Sequence, residues 1–335
     1  MLAPLDDLLR DAHVVALPLR NRFRGVDVRE VLLVEGPNGW TEFSPFLEYG
    51  AAEASAWLRA TIDFGWGAGL APLRERVRVN ATLPAVSAGE VPAILRRYPG
   101  CRTVKVKVAE PGQTLADDVA RVGAAREFVG AEGRVRIDAN TNWSVDETLR
   151  ALDELAPFDL EYVEQPVPSV AELGDLRRRI AESGLGVRVA ADESVRKADD
   201  PLAVARAGAA DLLVIKAQPL GGVARGLDIV RRTGLPAVVS SAIDSSVGLS
   251  MGAFLAASIP ELPHDCGLGT AAMLTADVTR EPLLPTDGAV DVRRVEVDVD
   301  LLRRHAAPEE RRTWWFERAR AAYAHLEEGS APASA

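Results

Sequence analysis

Lysine is nearly absent from this chain of 335 residues. Lysine and arginine together number 39, yet the lysines are only Lys105, Lys107, Lys197 and Lys216. Arginine keeps its proton near neutral pH, whereas a lysine withdrawn from water can release one. A chain that uses arginine for surface charge is therefore expected to keep lysine where proton transfer is needed, although codon bias with chance survivors explains the same count.

Cysteine and long apolar runs are also scarce, and each shortage excludes a class of protein. Cys101 and Cys266 form neither a CxxC pair nor a cluster of metal ligands, as a reducing compartment permits. Residues 1–13 contain three aspartates and lack the basic start and apolar middle of a secretory signal. No run of 18 apolar residues is present, so no membrane segment is predicted. We expect a cytoplasmic protein that does not bind a membrane.

The net charge and the length of the chain limit which partners and which fold can be expected. A formal net charge of −10 argues against nucleic acid as a partner, because phosphate binding needs a concentrated basic face. Small anionic substrates respond to local charge and are not excluded. The hydrophobic share of 47% describes a globular chain with a large core, and the length fits one α/β barrel plus a smaller accessory domain.

From about residue 76 onward, β-rich runs alternate with amphipathic stretches of helical period, a pattern typical of βα units around a parallel sheet. Eight runs are predicted as strands: 77–82, 103–108, 135–140, 161–166, 187–192, 212–216, 237–241 and 262–266. Helices are predicted between them, for example at 115–129, 145–155, 170–180, 201–207 and 222–232. Eight strands at this period favour a closed (β/α) barrel over an open sheet.

The two ends of the chain follow a different pattern. Residues 1–75 combine an extended run at 26–35, a turn at 36–39 and a helical stretch near 51–62, which predicts the first part of an α+β capping domain. The barrel domain is predicted at 76–278. Residues 279–335, with a β-like run at 290–299 and a helix at 308–328, are expected to complete the cap, and the small-residue tail from about 329 is predicted to be disordered.

Ionisable residues stand at or near the C-terminal ends of five successive predicted strands: Lys107, Asp138, Glu164, Asp192 and Lys216. The intervals between them are 31, 26, 28 and 24 residues, each the length of one βα unit. The C-terminal ends of barrel strands form the rim on which active sites are built, so these side chains should converge. Apolar residues at the alternate strand positions indicate that the ionisable side chains point into the barrel.

Three of these residues, Asp138, Glu164 and Asp192, are carboxylates that would repel one another on a half-buried rim. Burying unpaired charges is costly, so we predict a cation among them. Oxygen ligands without histidine or cysteine favour a hard ion, Mg²⁺, with Mn²⁺ as a possible substitute. Ion pairs between the carboxylates and the lysines are the simpler alternative.

The segments around these residues resemble the enolase superfamily in its muconate-lactonizing-enzyme-like branch: Lys105-Val-Lys107, Asp138-Ala-Asn140, Glu164-Gln-Pro166, Ala191-Asp-Glu-Ser194 and Ile215-Lys216. The resemblance covers nearly the whole chain. It implies an α/β fold, with a modified (β/α) barrel and an α+β capping domain. It also implies one Mg²⁺ ion, which stabilises an enediolate after a lysine removes the proton α to a carboxylate.

Within that superfamily the same lysine pair serves cycloisomerases, epimerases and o-succinylbenzoate synthases. The cap segment 39–49 and the serine-rich turn at 240–246 resemble the last family, and the eighth predicted strand lacks the Asp-x-Asp of dipeptide epimerases. Dehydration of 2-succinyl-6-hydroxy-2,4-cyclohexadiene-1-carboxylate to 2-succinylbenzoate in menaquinone biosynthesis is therefore expected. An N-acylamino acid racemase is the enzymatic alternative, and a barrel that only binds an acidic metabolite is the other. Thr41 departs from the family, which has glycine before the cap glutamate.

The resemblance also assigns roles to single residues. Lys107 would take the proton and later assist departure of the hydroxyl group, while Lys216 would remain a cation that stabilises the anion. Lys105 would lower the proton affinity of the base. The residues expected to bind the small dicarboxylate substrate are Lys105, Ser240, Ser241 and Gly267. The oligomeric state is left open.

Other polar residues are expected to have no part in the chemistry. Asp244 and His264 follow the seventh and eighth predicted strands, one unit too late for the Asp/His base of other branches, and are predicted to be structural. Lys197 lies in a polar stretch and is predicted to be a surface charge. The aromatic residues of the last helix, among them Trp315 and Tyr323, are expected to pack in the core.

Overall fold

The computed structural model describes residues 2–23, 25–69, 71–196 and 200–328. Two predictions, the disordered tail from about 329 and the surface charge at Lys197, lie outside these residues.

The first elements form a small antiparallel sheet with helices beside it, which we call the N-terminal cap. In chain order they are α1 (Leu5–Leu9), β1 (His13–Phe23), β2 (Val26–Gly36), β3 (Gly39–Phe43) and α2 (Ala51–Trp66). The strands lie in the order β1-β2-β3, and Gly36 pairs with Gly39 across a two-residue turn. The extended run at 26–35, the turn after it and the helix near 51–62 are thus confirmed, and the helix continues one turn further.

Short strands and helices then alternate along the chain. In order they are β4 (Arg76–Arg78), β5 (Ala81–Leu83), α3 (Val91–Leu95), β6 (Thr103–Lys107), α4 (Leu115–Val129), β7 (Arg134–Asp138), α5 (Val145–Leu155), β8 (Leu160–Glu164), α6 (Val170–Ser183), β9 (Arg188–Ala191), α7 (Glu193–Arg196), α8 (Ala203–Arg206), β10 (Leu212–Ile215), α9 (Val223–Thr233), β11 (Ala237–Val239) and α10 (Ser246–Ser258). The predicted helices at 115–129 and 145–155 coincide with α4 and α5, and the other three have shifted ends. The strands β5 to β11 pair in chain order in one sheet, which confirms the α/β barrel architecture.

The predicted eighth strand, 262–266, is not a strand in the described structure. The ends of the sheet meet instead through single parallel bridges, Val79 with Cys266 and Ser240 with Gly267. The Cys266 N–H donates to Arg78 at 2.8 Å, and the Gly267 N–H donates to Val239 at the same distance. Pro263 has no N–H to give to a ladder, so pairing begins only at the end of the segment.

Two other predicted β segments do not form a single continuous strand of the predicted length. The run at 77–82 changes partners midway: β4 pairs antiparallel with β12 (Ala289–Asp291), whereas β5 pairs parallel with β6. The run at 290–299 yields only β12 and then the start of α11 (Val299–Arg304). The helix predicted at 308–328 is confirmed as α12 (Glu309–Glu328), and its Trp315 and Tyr323 are buried, as expected of packing residues.

Alternation along the strands directs one set of side chains to the barrel interior. A separate buried apolar cluster consists of Tyr162, Ala190, Leu212, Val214 and Val238. Four of them have the same strand parity as the ionisable residue that follows on their strand, and Val238 has that of Ser240, whereas the apolar neighbours along the strands belong to the main core. The sequence alternation therefore predicted correctly which side chains face inward.

Three of the barrel helices begin at capping boxes, in which the first residues of the helix are hydrogen-bonded to each other. Thr114, Ser144 and Ser169 each accept a hydrogen bond from the backbone N–H three residues later. The acidic side chain at that later position accepts in return from the N-cap backbone. Each capping box satisfies two backbone donors that would otherwise be unpaired, and so fixes where the chain turns from rim loop to helix.

The last helix packs against the cap. Trp315 Nε1 donates to Glu30 of β2 at 2.8 Å, and the Trp315 ring meets Phe43 of β3 edge-on at 5.9 Å. Arg318 of α12 donates to the carbonyl groups of Phe46 and Tyr49 at 2.6 and 2.8 Å. The C-terminal helix thereby holds the loop after β3. Among the described residues, no helix is long and apolar enough to cross a membrane.

Thr41 is accommodated by a glycine in the neighbouring helix. Its side chain is fully buried in β3, and a Cβ atom at Gly65 of α2 would lie 3.1 Å from the Thr41 methyl carbon. Gly36 approaches the same turn of α2 even more closely, because a Cβ there would lie 2.6 Å from the Gly65 carbonyl oxygen. The junction between the cap sheet and α2 thus depends on two glycines that face each other.

We predict that Gly36→Ala destabilises the protein. The added methyl group would overlap the Gly65 carbonyl, and overpacking of this kind costs about 1–3 kcal/mol. Gly89→Ala is the matched control, since a Cβ at Gly89 meets nothing within 4 Å. Thermal unfolding followed by circular dichroism measures both changes. A Gly36→Ala variant that melts together with wild type and Gly89→Ala would contradict the close packing of this junction.

Candidate active site

Strand register brings the predicted site residues to one level of the barrel. In the parallel ladder Lys107 lies opposite Asp138, and Asp138 lies opposite Glu164. Asp192 and Lys216 each follow their strand by one residue. All five are buried, with the three carboxylates at most 1% exposed and the two lysines 7% exposed. The predicted convergence on the rim is therefore found in the structure.

Each carboxylate of this row accepts a hydrogen bond from a lysine. Lys105 Nζ lies 2.8 and 3.0 Å from the two oxygens of Glu164 and 3.2 Å from Asp138. Lys107 donates to Asp138, and Lys216 donates to Asp192 at the other end of the row. Such charge-assisted bonds are stronger than neutral ones. The two lysines predicted to be catalytic thus lie at opposite ends of the row of carboxylates.

The pKa values of the carboxylates reflect how unevenly their charges are balanced. Burial raises the pKa of Glu164 to about 7, and the negative charge of Asp138 adds to that rise. Burial acts in the same direction on Asp138, but the positive charges of Lys107 and Lys105 outweigh it and hold the Asp138 pKa well below its usual range. The pKa of Asp192 is lowered in the same way by the cations beside it. Glu164, at the middle of the row, is therefore the carboxylate whose charged form its surroundings stabilise least.

The pKa values of Lys216 and Lys105 are shifted in opposite directions. Burial lowers the pKa of Lys216 despite the nearby negative charge of Asp192. Burial also acts downward on Lys105, but the charges of Glu164 and Asp138 outweigh it, so the Lys105 pKa is raised. Lys105 is consequently a fixed cation, whereas Lys216 is easier to deprotonate than an exposed lysine.

The donor set fits a hard divalent cation. Within the described ranges, no group of three or more His, Cys, Asp or Glu side chains is already arranged to hold a metal ion, and the Lys105 ammonium group lies between Asp138 and Glu164. The chemistry nevertheless suits one, because three buried carboxylates from adjacent strands supply the oxygen ligands that a hard divalent ion prefers. The assignment of Asp138, Glu164 and Asp192 as metal ligands stays a prediction.

Hydrogen bonds around Asp192 fix its orientation, and sequence reasoning had given these partners no role. The Gln165 side-chain oxygen accepts from the Asp192 and Ser194 N–H groups at 3.0 and 3.1 Å. Arg196 Nε donates to Asp192 Oδ1 at 3.0 Å, and its Nη1 donates to the Tyr49 hydroxyl of the cap at 2.9 Å. Gln165 lies within the quoted Glu164-Gln-Pro166 segment, which was the available signal. Arg196 had none beyond its spacing of four residues from Asp192.

The cap closes one side of the pocket with aromatic residues that the sequence did not identify. Phe23, at the end of β1, and Phe46, in the loop after β3, line the pocket together with the lysines. The Phe23 ring centroid lies 5.2 Å from Lys107 Nζ. Asn140 also accepts a hydrogen bond from Lys107, at 2.5 Å. The Phe23 ring thus covers the Lys107 amine from the cap side and is placed for a cation–π contact with its ammonium form.

The four residues predicted to bind substrate differ in their placement. Lys105, Ser240 and Ser241 line the pocket. Ser241 Oγ lies 2.9 Å from the Gly267 carbonyl oxygen and 2.7 Å from Thr270 Oγ1. The Gly267 N–H is engaged by Val239 in barrel closure, and a Cβ at Gly267 would lie 2.6 Å from Ser240 Oγ. Gly267 therefore supports the serine wall from behind, and its direct contact with substrate stays an untested prediction.

The two residues predicted to be structural lie outside the pocket lining. His264 Nδ1 lies 2.8 Å from Glu161 Oε1, and Glu161 also accepts a hydrogen bond from Arg136. Asp244 is buried beside the cap residue Glu42, and burial together with the Glu42 charge raises the Asp244 pKa to about 7. Neither contacts Lys107 or Lys216 by a hydrogen bond in the described structure.

Comparisons with known proteins agree with this architecture. Residues 91–296 match the family model described as enolase C-terminal domain-like, and residues 14–65 match the one described as enolase N-terminal domain-like. Muconate lactonizing enzyme from Pseudomonas putida superposes with a TM-score of 0.72 at 20% identity, covering 89% of this chain and 98% of that one. That likeness concerns the fold alone.

Sequence relatives are much closer. The o-succinylbenzoate synthase of Mycolicibacterium smegmatis is 54% identical over 321 residues, covering 96% of this chain and 97% of the relative. The o-succinylbenzoate synthase of Mycobacterium marinum is 53% identical over 322 residues, covering 96% of each. The family of this chain is known to depend on a divalent metal ion. The chain therefore belongs to the enolase superfamily and, within it, to the o-succinylbenzoate synthase family of lyases.

Proposed function

We propose that this pocket dehydrates 2-succinyl-6-hydroxy-2,4-cyclohexadiene-1-carboxylate to 2-succinylbenzoate, a step of menaquinone biosynthesis. The observation that carries the proposal is the pair Lys107 and Lys216 at opposite ends of one row of buried carboxylates. Identity above 50% to o-succinylbenzoate synthases over nearly the whole chain supports the choice of substrate. The substrate is a small dicarboxylate, as the sequence predicts.

Asp138, Glu164 and Asp192 would hold the metal ion, Mg²⁺ or Mn²⁺. When bound, it supplies positive charge that stabilises the anion developing on the substrate carboxylate. Arg196 and Gln165 keep Asp192 in place, and Lys105 keeps Glu164 in place. This support orients the carboxylates before substrate arrives, so that little reorganisation is needed during the reaction.

Lys107 acts first as the base and then as the acid. Its neutral amine takes the proton from the carbon α to the ring carboxylate, and the electrons of that C–H bond move toward the carboxylate. The resulting ammonium group then gives its proton to the departing hydroxyl group as the C–O bond breaks, so that water leaves and the ring becomes aromatic. Asn140 accepts a hydrogen bond from Lys107 and fixes the direction of the amine.

Lys216 and Lys105 contribute charge rather than proton transfer in this reaction. Lys216 faces the opposite end of the row and, as a cation, stabilises the delocalised anion. Lys105 shares the carboxylates of Glu164 and Asp138, and its fixed positive charge near the site disfavours protonation of Lys107. Ser240 and Ser241 form the polar wall toward which we orient the succinyl end of the substrate.

The proposal extends to the domains and the cellular compartment. We assign residues 1–75 and 279–335 to the capping domain and 76–278 to the barrel, which is supported by the packing of α12 against the cap residues Glu30 and Phe43. Cys101 and Cys266 form no disulfide, which supports a cytoplasmic location.

Removal of divalent ions should abolish activity, and Mg²⁺ or Mn²⁺ should restore it. Asp138→Asn, Glu164→Gln and Asp192→Asn each remove a charged ligand, so each should raise the Mg²⁺ concentration needed for half-maximal activity. The assay is dehydration of the cyclohexadiene substrate in a titration with metal after EDTA treatment. Asp146→Asn is the control, because Asp146 is exposed on the outer helices and its side chain accepts a hydrogen bond from Arg179. Full activity in excess EDTA would rule out the metal site.

The two lysines should respond differently to substitution, because dehydration needs one base and racemisation needs two. Lys107→Ala should abolish dehydration and exchange of the α-proton, since loss of a positioned base costs about 10²–10⁴-fold in rate. Lys216→Arg keeps a cation that cannot release a proton near neutral pH, so it should retain measurable dehydration.

The same variants and the wild type should be assayed for racemisation of N-succinylamino acids, which Lys216→Arg cannot support if two bases are needed. Dehydration by Lys216→Arg well above that of Lys107→Ala is the expected result. If both variants are equally inactive, while the wild type racemises N-succinylamino acids faster than it dehydrates the cyclohexadiene, the racemase alternative replaces the proposed function.

A further inference from the structure

Glu42, a cap residue outside the pocket lining, is the centre of a buried hydrogen-bond network between the cap and the barrel. It lies in β3 and is fully buried. One carboxylate oxygen accepts from Ser44 Oγ at 2.5 Å and from Gln218 Nε2 at 3.3 Å. The other accepts from the N–H groups of Ser245 and Gly248, at 3.1 and 3.2 Å, and from the Ser245 hydroxyl. A single carboxylate thus satisfies five donors.

Apart from Ser44 of the cap itself, the partners of Glu42 come from two barrel segments on the far side of the pocket, one after the sixth strand and one that leads into α10. Gln218 follows Lys216 by two residues, at the end of the sixth barrel strand. Ser245 ends the loop that begins with the pocket residues Ser240 and Ser241. Gln218 also donates to Asp244 of that second loop at 3.1 Å, so the two loops are tied to each other as well as to the cap.

The loop after the seventh strand contains a residue in a strained backbone conformation. Ile243 lines the pocket with a φ of 60°, in the left-handed region that a β-branched residue rarely adopts. Such strained residues persist only where the surroundings hold them. Arg29 of the cap donates to the Ile243 carbonyl at 3.2 Å and stacks over the Phe46 ring at 4.7 Å, while its charge balances Glu42.

The fit between Glu42 and α10 is close. A Cβ atom at Gly248 would lie 2.8 Å from both the carboxyl carbon and an oxygen of Glu42. Only glycine therefore permits the carboxylate to reach the N–H groups of the first turn of this helix. The positive end of the helix dipole favours a negative charge there. The position of α10, and of the loop that leads into it, thus depends on a residue from the cap.

We propose that Glu42 is a positioning residue for the reaction. From the cap it fixes the loops that carry Lys216 and the Ser240–Ser241 wall, and so sets their distance from Lys107 and the carboxylates on the other side of the pocket. The inference rests on the proposed function of that pocket. It accounts for a fully buried carboxylate that touches neither substrate-facing atoms nor the predicted metal ligands.

The test compares Glu42→Ala with Glu30→Ala. Glu30 is also a cap glutamate in a strand and also accepts several hydrogen bonds, but its partners are Arg311 and Trp315 of the C-terminal helix rather than barrel loops. Both variants should lower the melting temperature. Below that temperature, Glu42→Ala should lower kcat at saturating substrate by about tenfold or more, since a displacement of about 1 Å can cost 10²-fold. Glu30→Ala should keep kcat within about twofold of wild type.

A further measurement separates positioning from general loosening of the site. The Mg²⁺ concentration for half-maximal activity should be unchanged in Glu42→Ala, because none of the partners of Glu42 is a predicted metal ligand. If Glu42→Ala does not fold, Glu42→Gln is the variant that tests the inference. It keeps an oxygen for the amides of Ser245 and Gly248 but turns an NH₂ group toward Ser44 and Gln218, so kcat should fall by about threefold or more at a nearly unchanged melting temperature.

A kcat within about twofold of wild type in the folded Glu42 variants would overturn the inference, and so would a kcat loss in Glu30→Ala equal to that in Glu42→Ala. Either result leaves the proposed function intact as long as the wild type dehydrates the cyclohexadiene substrate. An inactive wild type would instead count against the proposed function, whatever the variants show.

Discussion

The compensation of three buried carboxylates on adjacent strands is the interaction on which the rest of this structure depends. Parallel register places Asp138 beside Glu164, and Asp192 follows on the next strand. Burying three like charges is unfavourable unless cations accompany them. Lys105, Lys107 and Lys216 supply positive charge from three sides, yet the pKa of Glu164 is still raised to about 7 by burial and by the charge of Asp138. A divalent ion bound by all three carboxylates would stabilise the charged form of Glu164 further.

The barrel strands carry these charged side chains, while contacts with the cap fix their positions. Arg196 connects Asp192 to the Tyr49 hydroxyl, and Glu42 connects β3 to the loops after the sixth and seventh strands. Phe23 covers Lys107. The cap also receives support from the C-terminal helix, through Arg318 and the carbonyl groups of the loop after β3. Residues distant in sequence thus act together to fix the positions of the side chains in a small polar pocket.

The sequence predicted those parts that depend on periodic or local signals. Strand parity and βα spacing located Lys107, Asp138 and Glu164 on one rim, and the helical period predicted the bounds of α4. Barrel closure was predicted wrongly as a full strand at 262–266, because Pro263 interrupts pairing that the apolar pattern alone suggests. The roles of Arg196 and Glu42 could not be read from the sequence, since the Tyr49 partner of Arg196 and the barrel partners of Glu42 come close only when the cap packs on the barrel.

A crystal structure of the enzyme prepared with excess Mg²⁺ tests the central claim most directly. The account predicts one ion bound by an oxygen from each of Asp138, Glu164 and Asp192 at about 2.0–2.1 Å, with Lys107 and Lys216 on either side of it. It also predicts that Lys105 remains on Glu164. Carboxylates that stay paired only with the lysines, with Mg²⁺ bound elsewhere or not at all under conditions that support turnover, would contradict the account.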